Sequence, residues 1–135
     1  MSSDVTYSFD KPIPPAALQA LYRQTGWAAN RSIEDIERML AGTIVTLGAW
    51  QGDQLVGFAR AVTDDRFRAY IEDVVIAETL RGHGLGAEMM AALMERLAHV
   101  EEVILASEDH LIPFYERFGF GRVSHQFMNI WRGAV

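Results

Sequence analysis

Residues 73–87 read Asp-Val-Val-Ile-Ala-Glu-Thr-Leu-Arg-Gly-His-Gly-Leu-Gly-Ala, and they constrain the fold more than any other stretch. The apolar run Val74, Val75 and Ile76 has the β-branched composition of a strand. A short polar segment follows and ends in Arg81-Gly82-His83-Gly84-Leu85-Gly86. Leu85, Met89, Met90, Leu93, Met94 and Leu97 then recur at helical spacing, so the pattern predicts a helix over 84–97. Glycines at a strand-to-helix turn permit positive φ and close backbone approach. The first N–H groups of the helix lack intrahelical partners and lie at the positive end of its dipole, where a phosphate or pyrophosphate fits. Arg81 adds a planar fork of donors matched to phosphate oxygens.

Two other phosphate motifs fit less well. Gly82-x-Gly84-x-x-Ala87 matches the dinucleotide fingerprint in letters. In that fold the glycines follow the strand almost directly and the strand opens the domain. Here Ala77–Arg81 intervenes, and earlier segments also read as strands. No Gly-Lys-Ser/Thr follows, which excludes a P-loop.

The remaining elements fall around this centre. Val5–Phe9 alternates and reads as a first strand. Leu18, Leu21 and Tyr22 after the prolines place a helix at about 15–25. Ser32 with Asp35 approximates a capping box for a second helix that carries Ile33, Ile36, Met39 and Leu40 and ends at Gly42. Three strands are then expected in a meander, Thr43–Trp50, Leu55–Val62 and Arg68–Ile76, the first two joined by a hairpin over 51–54. After the main helix come a short buried strand at Val103–Ala106, a helix through Phe114–Phe118 that ends at Gly119, and an alternating last strand at His125–Trp131. The order predicts one α+β domain over 1–135 with a mixed sheet.

Composition narrows the function. The 135 residues suit a single domain with a substantial core, and half of them are apolar. The absence of cysteine excludes disulfides, thiolate metal sites and cysteine nucleophiles, and fits a reducing cytoplasm. The four histidines have no metal-like spacing, so no metal is expected. No apolar run approaches the length of a membrane span, and Met-Ser-Ser-Asp-Val-Thr does not read as a signal peptide. The formal charge of −6 argues against nucleic acid and favours cationic small partners such as amines.

Arg81-x-x-Gly84-x-Gly86, followed about 30 residues later by Phe114-Tyr115-Glu116-Arg117-Phe118-Gly119-Phe120, resembles the GNAT N-acetyltransferase superfamily. The resemblance extends from the second helix to the last strand. It implies a three-layer α/β/α-like GNAT fold whose mixed, mostly antiparallel sheet has a splayed central pair of parallel strands. It also implies acetyl-CoA as co-substrate. Val74, Val75 and Ile76 would pair with the pantetheine arm like an added strand. The N–H groups of Arg81, Gly82, His83, Gly84, Leu85, Gly86 and Ala87 would hold the pyrophosphate, and Phe114 would pack beside the cofactor. Acetyl would pass directly to a primary amine in a ternary complex, and members of the family are often homodimers. The alternatives are a CoA-binding regulatory module without turnover, or acetylation of a protein N-terminus or lysine.

The resemblance makes Tyr115 the candidate general acid for the departing thiolate, since a tyrosine's pKa near 10 lies above a thiol's near 8.5. Its other reading is core packing among Phe114, Phe118 and Phe120. Asp73, Glu72 and Glu108 are the candidate proton acceptors for the amine. Alternation along the strand predicts that Glu72 and Asp73 face opposite ways, and the alternative role for either is a salt bridge to a neighbouring strand, with Arg60 or Arg68. Glu108 stands where many family members carry asparagine, and Leu111 where alanine is common. Glu108 alternatively caps the last helix. Trp27 lies in the region that walls the acceptor pocket, and there it offers a face to an aromatic or cationic amine. Gly26-Trp27 and the strand through Ile76 are also similar to small plastid and bacterial serotonin (arylalkylamine) N-acetyltransferases, but Glu72 stands where an aromatic residue is expected.

Overall fold

A computed structural model describes residues 4–133; the opening Met-Ser-Ser and both ends of the expected 1–135 domain lie outside them. Five strands form one sheet in chain order: β1 (Val5–Ser8), β2 (Val45–Gln51), β3 (Gln54–Thr63), β4 (Arg68–Ile76) and β5 (Glu102–Ile104). The first four pair antiparallel, and β5 runs parallel to β4. The helices are α1 (Pro15–Tyr22), α2 (Ile33–Gly42), α3 (Leu85–Arg96) and α4 (Ile112–Glu116), with 3₁₀ turns at Glu78–Leu80 and Asp109–Leu111. Tyr22 of α1 meets Phe58 edge-on, which puts α1 against the face of the sheet that carries Phe58. α3 packs against β2 and β4. The mixed, mostly antiparallel sheet between helices is the α+β architecture that the sequence implied.

Local chemistry sets the boundaries. The Ser32 hydroxyl accepts from Asp35 N–H at 3.1 Å and starts α2. α1 stops at Tyr22 rather than near residue 25. There the Thr25 hydroxyl donates to Tyr22 C=O at 2.7 Å and accepts from Ala28 N–H at 3.0 Å, turning the chain. The 51–54 hairpin turns through Gly52 at φ 62°. α3 begins at Leu85, with Gly84 before it at φ 86°. Gly57 lets α3 approach the sheet: a Cβ there would lie 3.0 Å from both Met89 Sδ and Ala49 Cβ.

Three expectations need correction. The parallel pair lies at the edge of the observed sheet and not at its centre, because β5 is the last strand. β5 ends at Ile104 and is half-buried rather than buried. Residues 125–131 form no strand, and Phe127, Met128, Ile130 and Trp131 are exposed. Alternation makes a strand only where a neighbouring edge supplies hydrogen bonds. Three-residue β5 offers little edge, and no described segment pairs along its outer side.

The close approach at Gly57 predicts that Gly57→Ala overpacks the α3–sheet contact. It should cost about 1–3 kcal/mol in urea unfolding without changing the far-UV spectrum.

Candidate active site

β4 and β5 stay in register for only three pairs, Arg68–Glu102, Ala69–Val103 and Tyr70–Ile104. Beyond Tyr70, β4 continues with β3 alone, pairing Ile71 with Ala61, Glu72 with Arg60, Val75 with Phe58 and Ile76 with Gly57. The main-chain edge of Ile71–Ile76 that faces away from β3 therefore has no strand partner among the described residues. From Phe58 to Arg60, two steps along β3 answer three along β4, so an extra residue bulges at Asp73–Val74. Asp73 occupies the left-handed region at φ 56°. For a residue other than glycine this costs roughly 1–3 kcal/mol and must be held by its surroundings.

The bulge overturns the simple alternation. Glu72 sits opposite Arg60 and shares its side of the sheet. Asp73 Oδ2 accepts from Arg60 Nε at 2.7 Å, so it turns to that same side. Arg31 Nη1 at 2.9 Å and Tyr22 Oη at 2.9 Å donate to the same oxygen. Asp73 is 7% exposed and is the one buried charged residue among those described. Burial pushes its carboxyl pKa up, but the hydrogen bonds and charges of Arg60 and Arg31 outweigh that and hold it below the usual carboxylate range. Burial, followed by the Asp73 charge, pushes the Tyr22 hydroxyl well above its ordinary pKa. The alternative of a cross-strand ion pair with Arg60 is thus realised for Asp73, whereas Arg68 pairs with Glu101 and Glu102.

A cleft of about 400 Å³ lies beside the end of β4, lined by Gln24, Thr25, Gly26, Trp27, Val74, Val75, Ile76 and Arg81. Trp27 is 56% exposed there, edge-on to Tyr22 and 5.6 Å from the Arg31 guanidinium carbon. Arg81 crosses the cleft: Nε donates to Ile76 C=O at 3.2 Å and Nη2 to Gln24 C=O at 3.4 Å. Gln24 in turn accepts from Glu78 N–H at 2.7 Å. Gly82 and Gly84 have φ of 81° and 86°, which side-chain-bearing residues rarely adopt. Gly86 serves packing instead, since a Cβ there would lie 3.3 Å from Ile76 Cδ1 and 3.7 Å from the Phe114 ring. The His83 ring lies against the Leu80 and Arg81 carbonyls, outside the cleft lining. Glu88 N–H bonds to Gly84 C=O, which leaves the N–H groups of Leu85, Gly86 and Ala87 without intrahelical partners at the start of α3. The Glu88 side chain is bonded to Tyr7 of β1.

Tyr115 lies elsewhere. It lines a second cleft of about 1050 Å³, bordered by Ile104, Leu105, Ser107, Phe120 and Phe127. Its ring meets Phe114 and Phe120 edge-on, and its hydroxyl makes no hydrogen bond among the described residues. Burial pushes its pKa above the ordinary tyrosine value, so the proton is retained at neutral pH. Glu108 lies on neither cleft: its side chain is exposed beside His110, and it precedes the Asp109–Leu111 turn without a side-chain cap bond. The expected site is therefore gathered in two parts, the β4 end with Trp27 and Arg81, and Tyr115 beyond Phe114.

The acetyltransferase (GNAT) family model matches residues 9–120. The chain belongs to the GNAT acetyltransferase family. A ycf52 protein of Porphyra purpurea, named an uncharacterized N-acetyltransferase, is 34% identical over 87% of this chain and 70% of its own length. A ycf52-like protein of Prochlorococcus marinus is 33% identical over 76% of this chain, and the match spans 60% of that relative's length. A GNAT acetyltransferase structure from Streptococcus pneumoniae superposes with a TM-score of 0.80 at 24% identity, covering 96% of this chain and 99% of that one, and so shares the fold.

This GNAT chain carries groups at the site that sequence reasoning did not single out. Tyr22, Gln24 and Arg31 came without a signal because their partners lie about 50, 54 and 42 residues away. Asp73 also makes the pH dependence of stability predictable. Its depressed pKa means that its contribution is full above about pH 5 and is lost as pH falls below the unfolded value of about 3.9 toward the folded one. Asp73→Asn should lower stability at pH 7 toward the low end of about 3–5 kcal/mol, because Arg31 keeps a third of its side chain in solvent. In urea titrations the gap to wild type should narrow as pH falls below the unfolded value of about 3.9.

Proposed function

We propose that the protein transfers acetyl from acetyl-CoA to a primary amine of a small molecule, directly within a ternary complex. The observation that carries this reading is the unpartnered main-chain edge of β4 beside the free N–H groups at the start of α3. The residues present fit the co-substrate. Val74, Val75 and Ile76 offer backbone to a pantetheine arm, Leu85 to Ala87 offer donors to a pyrophosphate, and Arg81 stands at the same mouth. When bound, acetyl-CoA supplies an activated thioester.

The chain's own groups complete the chemistry. A main-chain N–H near the bulge polarises a carbonyl aligned along β4. Trp27 walls a cleft whose volume suits a small molecule, and the charge of −6 draws cations toward it. Glu72 takes the amine proton, directly or through water. The protonated Tyr115 gives a proton to the leaving thiolate. This last role requires the two clefts to communicate between the diverging ends of β4 and β5. The charge and the lack of cysteine support a cytoplasmic enzyme.

We also propose a homodimer, supported by the exposed apolar residues of 125–131 beside the short edge strand β5. Light scattering should give twice the monomer mass at micromolar concentration, and Ile130→Asp should return it to the monomer.

A thiol-release assay with acetyl-CoA against polyamines, arylalkylamines, amino acids and peptides tests the activity. Gly84→Val places a β-branched residue at φ 86° and should weaken CoA binding in calorimetry by at least about tenfold. Tyr115→Phe should lower kcat by about 10²- to 10⁴-fold at pH 7 with CoA affinity retained. Full activity in that variant removes Tyr115 from the chemistry.

A further inference from the structure

The Asp73 cluster is the largest buried polar feature that the proposed chemistry does not use. Three elements converge on one carboxylate oxygen: Tyr22 from the end of α1, Arg31 from the segment before α2, and Arg60 from β3. Asp73 itself is the left-handed residue of the bulge. Arg31 extends the network outward, with its guanidinium carbon 4.8 Å from the Tyr22 ring and 5.6 Å from the Trp27 ring. One oxygen therefore ties the backbone that precedes Val74 to the wall on the far side of the cleft.

We infer that Asp73 is a positioning residue, which locks the β4 bulge and the Trp27 wall in one arrangement and so sets acceptor affinity and the aim of the Val74 peptide. The inference rests on the reading of this cleft as the acetyl-transfer site. A proton acceptor needs a lone pair open to substrate and a pKa near the working pH. Asp73 offers Oδ2 to three donors, is almost wholly buried, and titrates below the ordinary range under two cations. A left-handed aspartate persists only where its surroundings over-determine it, and here the three donors do so. Besides Arg60, Arg31 and Tyr22, the ionisable groups on this side of the sheet are Glu72, opposite Arg60, and Tyr70, whose hydroxyl pKa is raised by burial and by Glu72.

Three variants probe the lock without adding bulk: Asp73→Asn, Arg31→Gln and Tyr22→Phe. The first readout needs no co-substrate. Amide hydrogen exchange of Val74–Ile76 and the Trp27 indole resonance are followed in the free protein, and exchange should quicken by about tenfold or more in both Asp73→Asn and Arg31→Gln. The second readout is kinetic. The acceptor KM should rise about 10- to 100-fold in both, with the acid limb of the pH–rate profile unchanged. The double variant should be no worse than the poorer single one, because both remove the same network. The inference is overturned if Asp73→Asn loses the acid limb while Arg31→Gln behaves as wild type, since Asp73 is then the base. It is equally overturned if exchange and the Trp27 resonance stay unchanged in all three. If Asp73→Asn does not fold, Arg31→Gln and Tyr22→Phe decide by the same criteria. A wild-type protein that releases no thiol with any amine ends the acetyl-transfer reading, and the exchange measurements still judge the lock.

Discussion

The parting of β4 from β5 is the constraint on which the rest depends. Parallel strands are held by evenly spaced hydrogen bonds, and this pair has only three residues of register before it separates. β5 ends at Ile104, and the chain leaves through the polar Ser107-Glu108-Asp109 toward α4. β4 runs on to Ile76, kept in the sheet by β3 alone. Its other edge then has backbone groups without strand partners, and such groups must find water, side chains or a ligand. The glycine turn returns the chain from the end of β4 so that α3 begins beside that open edge. Had β5 continued in register for six more residues, the edge would be satisfied.

An open edge is useful only if it is rigid, and the bulge works against rigidity. It interrupts the β3–β4 ladder where β4 has already lost β5. The sequence offsets this with charge rather than packing. A carboxylate placed nearly out of solvent is costly unless paired, and Asp73 has two guanidiniums and a phenol. Directional bonds from three elements specify one backbone geometry more sharply than apolar contacts of equal area, because apolar contacts tolerate sliding. Arg31 stays partly exposed beside Trp27, so the network reaches the surface at the edge of the cleft.

Much of this was legible in the chain. The 3.6-residue stripe after Gly84, the alternation through 45–76 and the hairpin at 51–54 each rest on local chemistry, and each element formed within a few residues of its expected bounds. The failures are non-local. Residues 125–131 alternate like a strand, but a strand is a property of a pair. Glu72 and Asp73 were expected on opposite faces, because period two holds only until a bulge inserts a residue, and a bulge is written in the register between two strands. The Tyr22–Arg31–Asp73 network was invisible for the same reason, whereas Arg60 could be suspected because the strand meander brings β3 and β4 together.

The two halves of the site make different demands on sequence. The side that faces the open edge of β4 and the start of α3 is built from main-chain groups, and it requires only that Gly82 and Gly84 reach positive φ and that Gly86 leave room for Ile76 and Phe114. Nearly any side chain elsewhere is compatible with that geometry. The opposite wall is built from side chains: Gln24 and Trp27 line it, and Tyr22 and Arg31 stand against Trp27 from behind. The physical division therefore sets backbone against side chain. The segment between α1 and α2, which supplies the second wall, is tied to β4 through Arg31 and Asp73.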